Sequence, residues 1–158
     1  MIEVKITKTV NKPLKDLWKV SVIDFDKVGT WGTGIFKSYK GKNHDRICET
    51  SFGKIYENII DKDEKNHRIL IDAKGFPFFV KKARGQWTFK KIDKNKTEFT
   101  IGLRLDTIPV IGSIMEVFMK PKLTKALEVT AEDYITFLET GSVSERKKRE
   151  IDNLNNKK

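Results

Sequence analysis

The chain has 158 residues, which is the size of one domain and long enough to bury a core without disulfides or metals. Its one cysteine excludes an internal disulfide framework, and with two histidines it cannot form the usual four-ligand zinc site without carboxylates. The chain has neither an apolar run of about 18 residues nor a signal-peptide pattern, so we expect a cytoplasmic protein without metal or cofactor.

The charge balance is basic but dispersed. Lysine and arginine number 32 against 22 acidic residues, for a net charge of +10. Only six of the basic residues are arginine, the side chain that is better suited to reading bases and phosphates. Scattered lysine is typical of a solvated surface, so the composition predicts no nucleic-acid binding.

The first predicted elements are a strand and two short helices. Alternating apolar residues from position 4 to position 10 predict a half-buried strand. Asn11 followed by Pro13 is typical of a helix start, with the Asn11 side chain as the cap. A second short helix is predicted over residues 25–28, and the glycines that follow it indicate turns.

Six further strands are predicted between turn signals and short connections. They cover residues 35–40, 45–52, 54–62, 67–74, 80–93 and 96–107. The last strand alternates most clearly, because Phe99, Ile101, Leu103 and Leu105 all fall on one face.

The last large element is a long amphipathic helix. Ser113 and Glu116 have the spacing of a capping box, and Gly141 suits a left-handed helix stop. Apolar residues recur at helical spacing from Met115 to Leu138, and Pro121 predicts a kink or a break near Met119. The helix is expected to pack on the apolar face of the sheet.

The chain divides into an ordered body, residues 1–141, and a charged tail, residues 142–158. The tail contains two large aliphatic residues, Ile151 and Leu154, among many charges and amides. It cannot bury enough apolar surface to offset its ordering entropy, so it is predicted to be frayed or disordered, or at most an extra helical turn.

Particular residues stand at the joints between these elements. They are Pro13 and Trp18 in the first helix, Asp24-Phe25, Trp31, Gly53-Lys-Ile-Tyr-Glu57, Trp87 with Thr97, and Tyr134 to Gly141 at the end of the long helix. Together with the order of elements, they resemble the START-like superfamily, also called SRPBCC, which includes the birch-pollen-allergen relatives. The pattern is most similar to its polyketide cyclase/dehydrase group.

The resemblance covers residues 2–141 and implies an α+β helix-grip fold. In that fold a curved, seven-stranded antiparallel sheet wraps a long C-terminal helix and encloses an apolar cavity, with two short helices after the first strand. The superfamily includes lipid carriers, hormone receptors, aromatase/cyclases, ring-hydroxylase subunits and chaperone modulators. It therefore implies no single activity.

Alternate connections of an antiparallel meander lie at the same end of the sheet, which locates the mouth of such a cavity. The connections after Phe52, after Gly75 and after Thr107 share one end, and two of them are unusually apolar for surface loops. The predicted entrance residues are Phe76, Phe78, Phe79, Ile108, Val110, Ile111 and Met115. They form either a gate to a cavity or a plain lid on the core.

Strand alternation and the helix stripe also predict which residues line the interior. The candidates are Cys48, Ile55, Glu57, Ile59, Ile69, Ile71, Trp87, Phe89, Phe99, Ile101, Leu103, Phe118 and Tyr134. Glu57 is the one acid among them, and a buried carboxylate is costly unless it is paired or protonated. Glu57 is therefore either a candidate catalytic residue or the partner of a neighbouring Arg, Tyr or Lys.

Three functions are compatible with this pattern. The first is binding or carriage of a hydrophobic small molecule, such as a lipid, a fatty acid or a polyketide-like aromatic, with Glu57 or Tyr134 orienting it. The second is a cyclase or dehydratase that uses Glu57 as a general acid or base. The third is a docking module in which residues 76–79, beside Lys81 and Lys82, meet an anionic membrane surface or a protein partner.

Overall fold

A curved antiparallel sheet of seven strands is the central element of the computed structural model, which describes residues 1–158. The strands are β1 (Ile2–Val10), β2 (Ile35–Tyr39), β3 (Arg46–Thr50), β4 (Gly53–Asp63), β5 (Arg68–Lys74), β6 (Val80–Asp93) and β7 (Lys96–Thr107). Their order in the sheet is β1-β7-β6-β5-β4-β3-β2. The predicted α+β class and seven-stranded sheet are confirmed, with strand ends within two residues of the predicted ones.

Short helical segments connect β1 to β2. Helix α1 (Leu14–Trp18) continues into a π-helical turn (Lys19–Ile23) and then a 3-10 helix (Phe25–Thr30). Pro13 rather than Asn11 occupies the cap position of α1, without a side-chain hydrogen bond. The Asn11 backbone N–H instead donates to Glu139 at 3.1 Å, so a distant carboxylate replaces the predicted local cap.

Helix α2 (Ile111–Thr140) packs against β1 and β7. Its end is as predicted, since Gly141 has a φ of 69° and its N–H donates to the Phe137 carbonyl. Of the kink or break predicted near Met119, the break is absent, because the helix runs without interruption through Pro121. The carbonyl that Pro121 leaves without a donor belongs to the exposed residue Val117, where water can satisfy it.

The start of α2 differs from the predicted capping box. A tight turn precedes the helix, in which the Ile111 N–H donates to the Pro109 carbonyl at 2.9 Å across Val110, whose φ is 72° and ψ −64°. These are the angles of the strained γ-turn. The helix therefore begins two residues before Ser113, whose side chain does not cap it.

The segment after Gly141 also differs from the predicted disordered tail, because residues Glu145–Asn156 form helix α3. The Ser144 side chain accepts a hydrogen bond from the Lys147 N–H and caps this helix. Lys147 is only 1% exposed, and its ammonium group donates to the carbonyls of Gly32 and Ile35 at 3.0 and 2.8 Å. Long-range polar contacts therefore order a segment that has almost no apolar surface to bury.

Candidate functional site

Three connections meet at one end of the sheet, as the meander predicted. The Ile108 N–H, before α2, donates to the Phe79 carbonyl, in the β5–β6 loop, at 2.9 Å. Gly75 lies against the β3–β4 hairpin so closely that a β-carbon would stand 2.2 Å from the Lys54 carbonyl oxygen. Its φ of 103° also favours glycine. The loops thus form one continuous end of the molecule.

Large apolar side chains cluster in solvent at this end. Of the predicted entrance residues, Phe78, Val110 and Ile111 are exposed, Phe76, Ile108 and Met115 are partly buried, and Phe79 is buried. Four more exposed residues join them, and the full set, termed here the apolar end, is Phe52, Phe78, Val110, Ile111, Ile114, Val117 and Phe118. Their exposed fractions range from 39% to 91%. Phe118, expected to line the interior, is therefore on the surface, because α2 turns this side away from the sheet.

Aromatic side chains fill the opposite end of the interior, near α1. The Tyr134 ring lies 5.0 Å from Trp87, 5.1 Å from Phe99 and 5.3 Å from Trp31. The Tyr134 hydroxyl donates to the Leu17 carbonyl at 2.7 Å. Burial raises the pKa of this phenol, so Tyr134 acts here as a neutral tether between α2 and α1.

The predicted lining residues differ in burial. Those buried in the main core cluster are Cys48, Ile69, Ile71, Phe89, Phe99, Ile101 and Tyr134. Ile55, Ile59, Trp87 and Leu103 are only partly buried, although they pack against the core. Partly buried lining residues therefore occur against both core clusters, Trp87 against the main one and Leu103 against the smaller one.

The second core cluster lies toward the apolar end and has small residues on the sheet with aliphatic residues of α2 above them. Ala73 and Ala83 are paired neighbours on β5 and β6 and are buried. Met119, Leu123 and Leu127 of α2 pack over this cluster and are themselves partly buried. Part of the apolar surface of these three residues therefore remains in contact with solvent.

Glu57 of β4 lies beside this region, and its carboxylate is ion-paired. Its Oε2 atom accepts from Arg46 Nε at 2.5 Å, with the two side chains 15% and 11% exposed, and from the Cys48 thiol at 3.4 Å. Arg46 also donates to the Phe25 carbonyl at 3.0 Å and lies 3.8 Å above the Phe25 ring. The sequence left the partner of Glu57 open among Arg, Tyr and Lys, and the register of β3 against β4 identifies it as Arg46.

Burial and ion pairing in this cluster raise the pKa values of Arg46 and Cys48. Burial would lower the pKa of the Arg46 guanidinium, but the charge and hydrogen bond of Glu57 outweigh it and the pKa is raised. Burial, with a contribution from Glu57, raises the pKa of Cys48 to about 12. The guanidinium therefore stays charged and the thiol stays protonated, which makes Cys48 a poor nucleophile.

Other candidate features lie away from the concave face. Two open surface clefts are present, one along the outer side of α2 between Glu116 and Glu128 and one between Trp18, His67 and Lys91. No group of three or more His, Cys, Asp or Glu side chains is arranged to hold a metal ion. None of the helices has the length and apolar character needed to cross a membrane.

The sequence and the fold of this chain were compared with those of known proteins. No family model and no curated protein matches the chain. Among solved structures it is similar to a START superfamily protein from Mycobacterium smegmatis, with a TM-score of 0.70, 14% identity and coverage of 89% of this chain and 99% of that one. It is also similar to norcoclaurine synthase from Thalictrum in complex with a transition-state analogue (0.64, 12%, 86% and 92%).

A third similar structure is DynU16, a protein of the dynemicin biosynthetic locus, with a TM-score of 0.63, 17% identity and coverage of 90% of this chain and 49% of that one. At these identities the likeness concerns the fold. The strand order, the short helices after β1 and the long helix α2 agree with it. The chain therefore has the helix-grip fold seen in these solved structures.

Proposed function

We propose that this protein binds or carries a hydrophobic small molecule, such as a lipid, a fatty acid or a polyketide-like aromatic, on the concave face of its sheet. The observation that carries the proposal is the incomplete cover of an apolar interior. Ile55, Leu103, Leu123 and Leu127 face the core clusters and are nevertheless partly exposed. Covering such surface with an apolar ligand is favourable by roughly 25 cal/mol per Å².

The position of the open region supports the same proposal. It lies between the sheet and α2, behind the apolar end, where Leu103, Leu123 and Leu127 keep part of their surface in contact with solvent. Sites for small molecules are typically concave and mostly apolar, with a few fixed polar groups. The Arg46–Glu57 pair would be that polar group, since Arg46 and Glu57 hold each other in one orientation on the wall.

The fold neighbours and the cysteine provide further support. The norcoclaurine synthase structure holds a transition-state analogue, and the superfamily named for a second neighbour is one whose fold accommodates hydrophobic molecules. Cys48 is buried and unpaired, which fits a reducing compartment and supports a cytoplasmic site of action.

The test is native mass spectrometry of the gently purified protein, followed by solvent extraction and identification of the released molecule. We expect an apolar adduct of defined stoichiometry. Leu103→Trp places a larger side chain on the concave face and is expected to abolish the adduct. Arg104→Trp, at the next residue on the outer face, is the matched control and is expected to retain it.

A clean ligand-free mass would contradict the proposal if the protein also takes up nothing from a panel of fatty acids, phospholipids and aromatic polyketides. An adduct that persists in Leu103→Trp would contradict the assignment of the site. Circular dichroism and urea unfolding of both variants establish that they fold.

A second candidate function is a cyclase- or dehydratase-type reaction with Glu57 as acid or base. The observation that favours it is a charged pair on the wall of an apolar, accessible region, where a carboxylate can act on a bound substrate. Glu57→Gln keeps the shape of the side chain and is expected to remove turnover while ligand binding is largely retained. Equal turnover by the variant would exclude this role.

A further inference from the structure

The exposure of the apolar end is not explained by ligand binding on the concave face. Its seven residues come from three separate connections, at the β3–β4 hairpin, the β5–β6 loop and the start of α2. Phe52 and Phe78 are 91% and 82% exposed. Monomeric proteins rarely leave so many large apolar side chains together in solvent unless the patch meets a partner.

The start of α2 is apolar on nearly all sides. From Ile108 to Met119 the only side chains with hydrogen-bonding groups are those of Ser113 and Glu116. Met119 turns toward the sheet and Met115 is partly buried, whereas the residues of the apolar end on this helix turn outward. A helical segment that is apolar all round is normally buried. Here the sheet covers only one side.

Basic residues surround this surface. Residues 52–54, 74–82 and 108–125 contain seven lysines and one acid, Glu116, for a net charge of +6 out of +10 for the whole chain. All seven lysines are exposed; they are Lys54, Lys74, Lys81, Lys82, Lys120, Lys122 and Lys125. Lys54 is paired with Glu49 at 3.7 Å, whereas the other six lysines form no ion pair, and the segments that carry the apolar end therefore have a surplus of positive charge.

We propose that the apolar end docks the protein onto an anionic membrane surface, with its phenylalanine and aliphatic side chains inserted among the lipid chains and the lysines against the headgroups. The positive charge of these lysines distinguishes a lipid surface from a second copy of this chain. A second copy of this chain would bring a second set of seven lysines against the first, and like charges in contact oppose association. An anionic lipid surface is complementary both to the apolar side chains and to the lysines.

This inference goes beyond the proposed function and does not require it. Docking depends on surface residues, whereas ligand binding depends on the concave face behind them. The two together would let a hydrophobic molecule pass between a bilayer and the concave face without crossing water. The vesicle-binding assay can therefore refute membrane docking while the ligand-binding assay supports the proposed function, and the reverse is equally possible.

The test is sedimentation of the full chain with vesicles of phosphatidylcholine and phosphatidylglycerol, compared with vesicles of phosphatidylcholine alone. We expect binding to the anionic vesicles that weakens as salt is added. The double variant Phe78→Ser/Phe118→Ser should lower the partition coefficient at least tenfold, since each ring loses its apolar burial. The matched control is Ile60→Ser/Ile92→Ser, two residues that are each 47% exposed outside the apolar end, and it should bind as the parent does.

The electrostatic part is tested separately with Lys81→Gln/Lys82→Gln. Each lysine near an anionic surface contributes about 1 kcal/mol, so the pair should lower binding roughly twentyfold to thirtyfold. All these positions are exposed, and unchanged urea unfolding establishes that the variants remain folded.

Three results would overturn the inference. The first is no binding to anionic vesicles, and the second is binding that the phenylalanine variant leaves unchanged. The third is a concentration-dependent dimer, observed by sedimentation velocity, that the same variant dissociates, because a second copy would then cover the apolar end.

Discussion

The contact that holds α3 to the body can be tested at a single lysine. Lys147→Ala removes an ammonium group that is 1% exposed and donates to the Gly32 carbonyl, the Ile35 carbonyl and, at 2.7 Å, the Glu150 carboxylate. The two carbonyls lose a buried donor, which costs about 1–3 kcal/mol for each group. Loss of one partner of a buried ion pair typically destabilises by about 3–5 kcal/mol in all.

Urea unfolding at fixed pH measures this effect. With a denaturant slope of about 1–3 kcal/mol per molar for a small domain, the Lys147→Ala midpoint should fall by roughly 2 M. Lys148→Ala is the matched control, since Lys148 and its partner Glu145 have side chains 49% and 77% exposed. Its stability should change by less than about 0.5 kcal/mol. If both variants unfold at the parent midpoint, α3 is not docked as described and the tail is the disordered segment that the composition predicts.

Three other substitutions test the remaining structural arguments. Arg46→Ala leaves the Glu57 carboxylate without its ion-pair partner on the inner face and should lower the free energy of unfolding, measured in urea, by about 3–5 kcal/mol. Arg68→Ala removes one partner of an exposed ion pair and should lower it by less than about 1 kcal/mol. Equal losses in the two variants would refute the argument from burial. Because the pKa of Cys48 rises from 9.0 to about 12 on folding, the unfolded chain loses the thiol proton first, so stability should fall by about 1.4 kcal/mol per pH unit between these values. Cys48→Ala should remove that component of the alkaline slope, and an unchanged slope would contradict the assigned cause. Gly75→Ala, at a left-handed φ and with a backbone oxygen in the path of the new β-carbon, should unfold at clearly lower urea than the parent.

Local sequence determined most of the sheet. Side-chain alternation and glycine, asparagine and aspartate turn signals depend on neighbouring residues, so the seven strands could be placed to within two residues. The left-handed stop at Gly141 is equally local. The shared end of three connections followed from the antiparallel order alone, and with it the position of Phe78 and Val110.

The candidate site could be predicted only in part. Alternation placed Glu57 on the inner face between Ile55 and Ile59. It did not give the distance from Glu57 to Arg46, which depends on the register of β3 against β4. Alternation also could not distinguish lining residues that are fully buried, such as Phe99, from those that are partly buried, such as Leu103. That distinction depends on where α2 lies across the sheet.

Tertiary structure alone decided the features that depend on distant partners. Ser113 has the spacing of a cap, yet a γ-turn at Val110 starts the helix earlier, and Phe118 belongs to an apolar stripe, yet the helix turns it into solvent. The charged tail is helical because Lys147 reaches carbonyls more than a hundred residues away in sequence. Periodicity reports which residues share a face of one element, whereas burial, ion pairing and the gathering of lysines around an apolar surface depend on which faces the folded chain brings together.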